Sequence, residues 1–196
     1  MIRFALVGDI GSGKSHIAKL FGYPVFNADH EVSKLYKKNK KCYDKLKKAL
    51  PNYIKSRPVK KSALSEAIIQ NQNNLKKIIK IVHPEVQSRL RYFSKKNKNS
   101  KFVILDIPLF LENKLNKKND ILVFVDAKKK DSYKRLKKRP NINFDIVRKF
   151  KKIQLGVEYK KKRSNFIIKN NFQRNYVKKN VKNILKKILL YVRSNT

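Results

Sequence analysis

The sequence predicts an α/β protein whose parallel sheet is covered on both faces by helices. Three observations predict it. Short apolar runs recur at 2–7, 24–28, 101–106, 121–125 and 164–168. Helix-compatible stretches separate them, as crossover connections between parallel strands require. The runs at 101–106 and 121–125 each end in an acid, Asp106 and Asp126, after near-continuous apolar residues that suit a strand buried on both faces.

Each element follows in order. Residues 15–21 read as a helix after the first strand. The second strand ends at Asp29, and 30–38 starts another helix. From 34 to 57 the charge is dense, and apolar residues at Leu35, Tyr43, Leu46, Leu50 and Tyr53 suit surface helices, punctuated by Pro51 and Pro58. Residues 60–70 and 73–93 read as helices. In the second, Leu75, Ile78, Ile79 and Val82 recur at helical spacing, and Pro84 predicts a kink or a new first turn. Residues 95–101 are a polar loop. A basic helix spans 128–139 and closes at Pro140, and 141–162 is polar and helix-prone. The chain closes on an amphipathic helix over 175–192, with Val177, Val181, Ile184, Leu185, Ile188 and Val192 on one face.

A length of 196 residues suits one domain, and 41% hydrophobic residues suffice for a core. The single cysteine, Cys42, excludes an intramolecular disulfide and a cysteine-based metal site, which fits a reducing compartment. The chain enters a strand at once and has no long apolar run, so neither a signal peptide nor a membrane span is expected. The net charge of +38 favours polyanionic ligands. Its lysines are spread along the chain in company with Asn and Ile, however, as A/T-rich codons would produce, and they read as a solvated surface.

The residues Gly8-Asp-Ile-Gly-Ser-Gly-Lys-Ser15 fit the pattern G-x-x-x-x-G-K-[ST] between a strand and a helix, the context that gives a P-loop its meaning. Gly8, Gly11 and Gly13 let the backbone wrap closely around a phosphate, and the helix start adds a positive end. Ser12 and His16 lie within or beside this nucleotide-binding stretch. Lys14 would reach the outer phosphates, and the Ser15 hydroxyl would bind Mg²⁺.

In a parallel α/β sheet, ligands gather at the carboxyl ends of the strands. The P-loop, Asp29, Asp106 and Asp126 all fall there. Asp29 suits a residue that takes the acceptor proton, or else the N-cap of the helix that follows. Asp106 suits a carboxylate that orients Mg²⁺, or else a plain strand end. Asp126 reads as a cap for the helix from Lys128. His83 alone reads as structural. Arg135 and Arg139 share a helix face, either as part of a lid over a nucleotide or as a solvated basic surface.

Several stretches together resemble the dephospho-CoA kinase family. Besides the P-loop, Phe26-Asn-Ala-Asp29 is similar to its Asp-Ala-Asp segment and Ile81-Val-His-Pro84 to its apolar-His-Pro segment. Leu105-Asp-Ile-Pro-Leu-Phe-Leu-Glu112 resembles its Asp-x-Pro-Leu-Leu-x-Glu stretch. Residues 123–139, Gln154 and 164–170 resemble its fourth strand, lid and last strand. The match runs in order over nearly the whole chain.

The resemblance implies a P-loop NTPase-like five-stranded parallel core (1–35, 100–138 and 163–196), a helical substrate lobe (about 36–99) and a lid (about 139–162). It implies ATP- and Mg²⁺-dependent phosphorylation of the ribose 3′-hydroxyl of dephospho-CoA. By the same carry-over Asp29 is the catalytic base and Lys14 acts on the phosphates. Ser15 and Asp106 serve the metal, and Arg139 and Asn170 lie at the nucleotide. His83, Pro108, Leu109 and Glu112 join Asp29 on the substrate side. Small molecules are the expected partners, with no specific nucleic acid and no membrane. The protein is expected in the cytoplasm as a monomer or weak oligomer.

This chain departs from the family pattern at Asn27, His16, Pro140, Asn165 and Phe172, where the family commonly has Asp, Thr, Asp, Asp and Gly. Two alternatives stay open on the residues. One is a P-loop kinase of a nucleoside, nucleotide or other small metabolite. The other is a basic nucleic-acid-binding module, against which stands the placing of the aromatics among apolar residues.

Overall fold

The computed structural model describes residues 1–140 and 142–194. Asn141, where the helix-prone stretch was expected to begin, lies outside them, as do the last two residues of the expected domain. In order, the elements are β1 (Ile2–Val7), α1 (Lys14–Leu20), β2 (Val25–Asn27), α2 (Ala28–Lys38), α3 (Lys40–Ala49), α4 (Lys61–Gln70) and α5 (Gln72–Lys96). There follow β3 (Phe102–Asp106), β4 (Ile121–Asp126), α6 (Lys129–Lys137), α7 (Phe144–Lys152), α8 (Val157–Lys162), β5 (Phe166–Lys169) and α9 (Arg174–Ser194). All five expected strands form.

The strands make one all-parallel sheet in the order β2-β3-β1-β4-β5. The order reverses on either side of β1, so the loop after β1 lies where neighbouring crossovers diverge. Register is set by buried apolar pairs such as Ala5 with Leu105 and Leu6 with Val123. Residues 102–106 are buried throughout, as a central strand covered on both faces must be. Phe4, Phe102, Val123 and Ile168 of the sheet meet Ile17 of α1 and Val177, Val181, Ile184 and Ile188 of α9 in the main core. Each such side chain contributes roughly 1.5–3 kcal/mol. That apolar stripe, and not the lysine-rich opposite face, holds α9 in place.

The chain divides into two compact units. The first comprises the described residues of Met1–Phe26, Asn97–Ile142 and Ile153–Thr196 and carries the sheet. The second comprises Asn27–Lys96 and Asn143–Lys152 and is helical. In the second, α2, α3 and α4 all pack on α5, and α7 packs on α4, where the Lys149 ammonium donates to the Ile69 carbonyl at 3.1 Å.

Two local expectations need correcting and a third is narrowed. No new first turn forms at Pro84: α5 is one element of 25 residues. Proline removes the donor for the Lys80 carbonyl, but Leu75, Ile78, Val82, Val86 and Leu90 are buried on both sides of it and keep the helix on its partners. Asp126 does not cap α6: the cap position is Lys128, without a side-chain cap bond, and the Asp126 carboxylate faces Lys161 at 3.9 Å. Arg139 lies beyond the end of α6, in a turn where its N–H reaches the Leu136 carbonyl at 3.0 Å. Pro140 disfavours helical angles at the residue before it.

Candidate active site

The P-loop closes on itself, on β4 at Val125, on α6 and on the segment after β5. Ile10 N–H donates to the Asp9 carboxylate at 2.8 Å, and Ser12 N–H to the Asp9 carbonyl at 3.2 Å. Gly13 has φ 91°, in the left-handed region, and its carbonyl accepts from the N–H groups of His16 and Ile17. A Cβ at Gly13 would stand 2.5 Å from Asn170 Nδ2. Only glycine therefore fits, both for its angles and for this approach. Gly11 backs onto Leu136 and Ser132 of α6.

Lys14 lies across the loop, its ammonium donating to the carbonyls of Asp9 (2.9 Å) and Gly8 (3.2 Å). This keeps the charge at the loop. Ser15 and His16 are exposed on the first turn of α1. Ser12 is buried, and its hydroxyl has no hydrogen-bond partner among the described residues.

Asn170 is the brace of this loop. It is 3% exposed and follows β5. Its Nδ2 donates to the Ser12 carbonyl at 2.7 Å, its Oδ1 accepts from Phe172 N–H at 2.9 Å, and its own N–H donates to the Asp126 carbonyl at 2.7 Å. The side chain expected at the nucleotide thus ties the end of β5 to the P-loop. Asp106 ends β3, the strand beside β1, and is 4% exposed. A buried carboxylate at this end, with the Ser15 hydroxyl on the neighbouring helix start, is a set of hard oxygen donors of the kind Mg²⁺ takes.

The turn after β3 is built from Pro108, exposed, and Leu109, buried with φ 55°. Glu112 does not simply face solvent. Its Oε1 accepts from Leu155 N–H at 3.0 Å and lies 3.3 Å from the ammonium of Lys160, itself only 2% exposed.

The helical unit carries Asp29 and His83. Asp29 is exposed in the first turn of α2 and does not cap it. Asn27 does, accepting from His30 N–H at 2.8 Å. Two residues on, Glu31 pairs with Arg89 (2.7 Å) and Lys34 (2.8 Å). Burial opposes its ionisation, but these two cations outweigh it and hold Glu31 below the usual carboxylate range. Burial pushes the Tyr36 hydroxyl well above its ordinary value, with Cys42 and Asp29 adding to the shift. Burial also raises the Cys42 thiol, with Glu85 adding to it. His83 is half-buried, and its Nε2 has no hydrogen-bond partner among the described residues.

A family model described as dephospho-CoA kinase matches residues 2–175. The chain belongs to the dephospho-CoA kinase family. Its reaction is ATP-dependent phosphorylation of an alcohol group, converting dephospho-CoA to coenzyme A. Curated relatives include the dephospho-CoA kinases of Wolbachia pipientis wMel, 34% identical over 92% of this chain and 95% of that one, and of Zymomonas mobilis, 31% identical over 87% and 88%. A crystal structure from Thermus thermophilus superposes with a TM-score of 0.76 at 26% identity, covering 97% of each chain. Shikimate kinase from Acinetobacter baumannii, with a TM-score of 0.51 at 15% identity over 97% and 94%, shares the fold. These matches do not favour the alternative of a nucleoside, nucleotide or other metabolite kinase.

The departures from the family pattern find places in the fold. Asn27 is a cap, as an aspartate would be. Asn165 pairs with Leu122 through two bonds, its carboxamide oxygen accepting from Leu122 N–H and its N–H donating to the Leu122 carbonyl. Phe172 takes the left-handed φ of 63° that glycine would take. The residues missed in the sequence are Glu31, Arg89 and Lys160. Lys160 opens a run of three lysines with nothing local to single it out, and the Glu31–Arg89 pair spans 58 residues.

Proposed function

We propose that the sheet-bearing unit carries the ATP-binding core of this dephospho-CoA kinase and that acceptor contacts come from residues of the helical unit and from the turn after β3. The observation that carries the reading is the P-loop: a left-handed Gly13 that no Cβ could replace, braced by Asn170, with the Lys14 ammonium held over it. In the proposed step, the ribose 3′-hydroxyl oxygen attacks the γ-phosphorus. The bond from that phosphorus to the β–γ bridging oxygen breaks, and ADP leaves. The hydroxyl proton passes to the Asp29 carboxylate, which also orients the hydroxyl.

Lys14 and Arg139 balance charge on the transferring group. Ser15 would hold Mg²⁺ directly, and Asp106 through water. When bound, the ion supplies charge neutralisation between the β- and γ-phosphates. On the acceptor side, His83 offers its buried Nε2, and Pro108, Leu109 and Glu112 shape the turn after β3.

No helix among the described residues is long and apolar enough to cross a membrane. The buried Cys42 thiol suits a reducing cytoplasm, and the reading takes the protein as a monomer or weak oligomer without a specific nucleic-acid partner. The test is ADP release with ATP and Mg²⁺ against dephospho-CoA, adenosine, AMP and CMP. Release driven by dephospho-CoA alone is expected. Preference for adenosine or a nucleotide would overturn the acceptor assignment.

A further inference from the structure

Lys160 stands apart from the other basic residues of the chain. Of 51 lysines and arginines, it alone is buried among the described residues. A lysine set only by composition keeps its ammonium in water, because burying that charge is costly unless it is paired. Lys160 has its partner in Glu112, whose side chain is 10% exposed: Nζ lies 3.3 Å from Oε1. The same oxygen accepts from Leu155 N–H at 3.0 Å. On the far side the Ser164 hydroxyl donates to the Lys160 carbonyl at 2.8 Å.

The pair holds the turn that begins where β3 ends, at Asp106. Leu109 takes φ 55° there, a left-handed backbone that a residue with a Cβ keeps only where its surroundings impose it. The turn braces itself locally: Asn113 N–H donates to the Leu109 carbonyl at 3.0 Å, and Leu115 N–H to that of Phe110 at 3.1 Å. The Glu112 carboxylate carries the tie outward, 43 residues on to Leu155 and 48 on to Lys160.

We infer that Lys160 is a positioning residue for the acceptor: through Glu112 it fixes the turn at 107–111 in the shape that receives dephospho-CoA. This rests on the reading of that turn as acceptor-facing. At 2% exposure Lys160 is closed to any ligand of its own, so its effect runs through Glu112. The P-loop is braced separately, by Asn170. Loss of the Lys160 charge should therefore be felt by the acceptor and not by ATP.

The test compares the wild type with Lys160→Met, Lys160→Arg, the double variant Lys160→Met/Glu112→Gln, and Pro108→Glu. The readouts are steady-state kinetics at saturating ATP and Mg²⁺, calorimetric titration of ATP, and urea melts. Lys160→Met keeps the length and removes the charge. Its KM for dephospho-CoA should rise about tenfold, with the Kd for ATP within about twofold of the wild type. Lys160→Arg keeps the charge and should bring KM back to within about threefold. Should Lys160→Met fail to fold, with Glu112 left buried beside no cation, the double variant removes that carboxylate charge as well and should carry the same raised KM. An unchanged KM in the folded single or double variant would overturn the inference. So would a parallel loss of ATP binding, which would make the pair a general support of its unit, or an arginine variant as poor as the methionine one. Pro108→Glu sets a negative charge on the exposed part of the turn, against the acceptor's own phosphates. An unchanged KM there would remove the turn from the acceptor side, and the inference with it. A raised KM there beside a normal one in Lys160→Met would bring down the role of Lys160 alone.

Discussion

The P-loop region and the first turns of α2 are built in opposite ways. Around the P-loop the backbone forms the proposed phosphate cradle and, Lys14 and Ser15 apart, the side chains brace it: Asn170 is buried and engaged, and Gly13 tolerates no added carbon. In α2 the reactive candidate, Asp29, is an exposed side chain on an ordinary helix turn, whose cap is a different residue. The first region should respond to mutation through folding and binding together. The second should respond through chemistry alone. That difference orders the expected effects.

The largest within the loop is Lys14→Ala. Removing the charge proposed to act on the transferring group should cost roughly 10²–10³ in kcat, measured by steady-state kinetics at saturating ATP. Next is Gly13→Ala. The left-handed φ costs about 1–2 kcal/mol and the displaced Asn170 bond about 1–3 more, so chemical denaturation should show a loss of about 2–5 kcal/mol. Gly22→Ala sharpens the point, since Gly22 also has positive φ but nothing within 4 Å of its Cβ position. It should lose only the conformational part, about 1–2 kcal/mol. Asn170→Ala leaves the Ser12 carbonyl without its 2.7 Å partner and should cost about 1–3 kcal/mol together with a raised KM for ATP.

The smallest is Glu31→Gln. Glu31 titrates below its unfolded value, so its contribution is present at neutral pH and is lost as pH falls through the folded pKa. The variant should be less stable by under about 1 kcal/mol at pH 7 and should show a flatter acid limb in urea melts from pH 7 to 3. An unchanged acid limb would remove Glu31 from the account.

The same contrast explains what could be read from the residues alone. The sheet was legible because buried central strands must be apolar throughout, and the P-loop because only glycines permit its path. The continuity of α5 through Pro84 was not, because burial of Val82 and Val86 overrides a local helix breaker. Nor was the engagement of Glu112 with Lys160, 48 residues apart, inside a run of like charges. The sequence motif did single out Asp29, yet its spacing could not separate catalyst from cap. The hydrogen bond from His30 N–H to Asn27 removes the cap reading and leaves the catalytic role a proposal.

The most direct test of the central contrast separates binding from transfer at Asp29. Asp29→Asn keeps the shape of the side chain and removes its proton-accepting charge. Titration should give Kd values for ATP and dephospho-CoA within about threefold of the wild type, while single-turnover transfer to the 3′-hydroxyl falls roughly 10²–10⁴-fold. Transfer within about tenfold of the wild type would contradict the assignment of Asp29 as the base, and an equal loss of ATP binding would place it among the groups that hold the nucleotide.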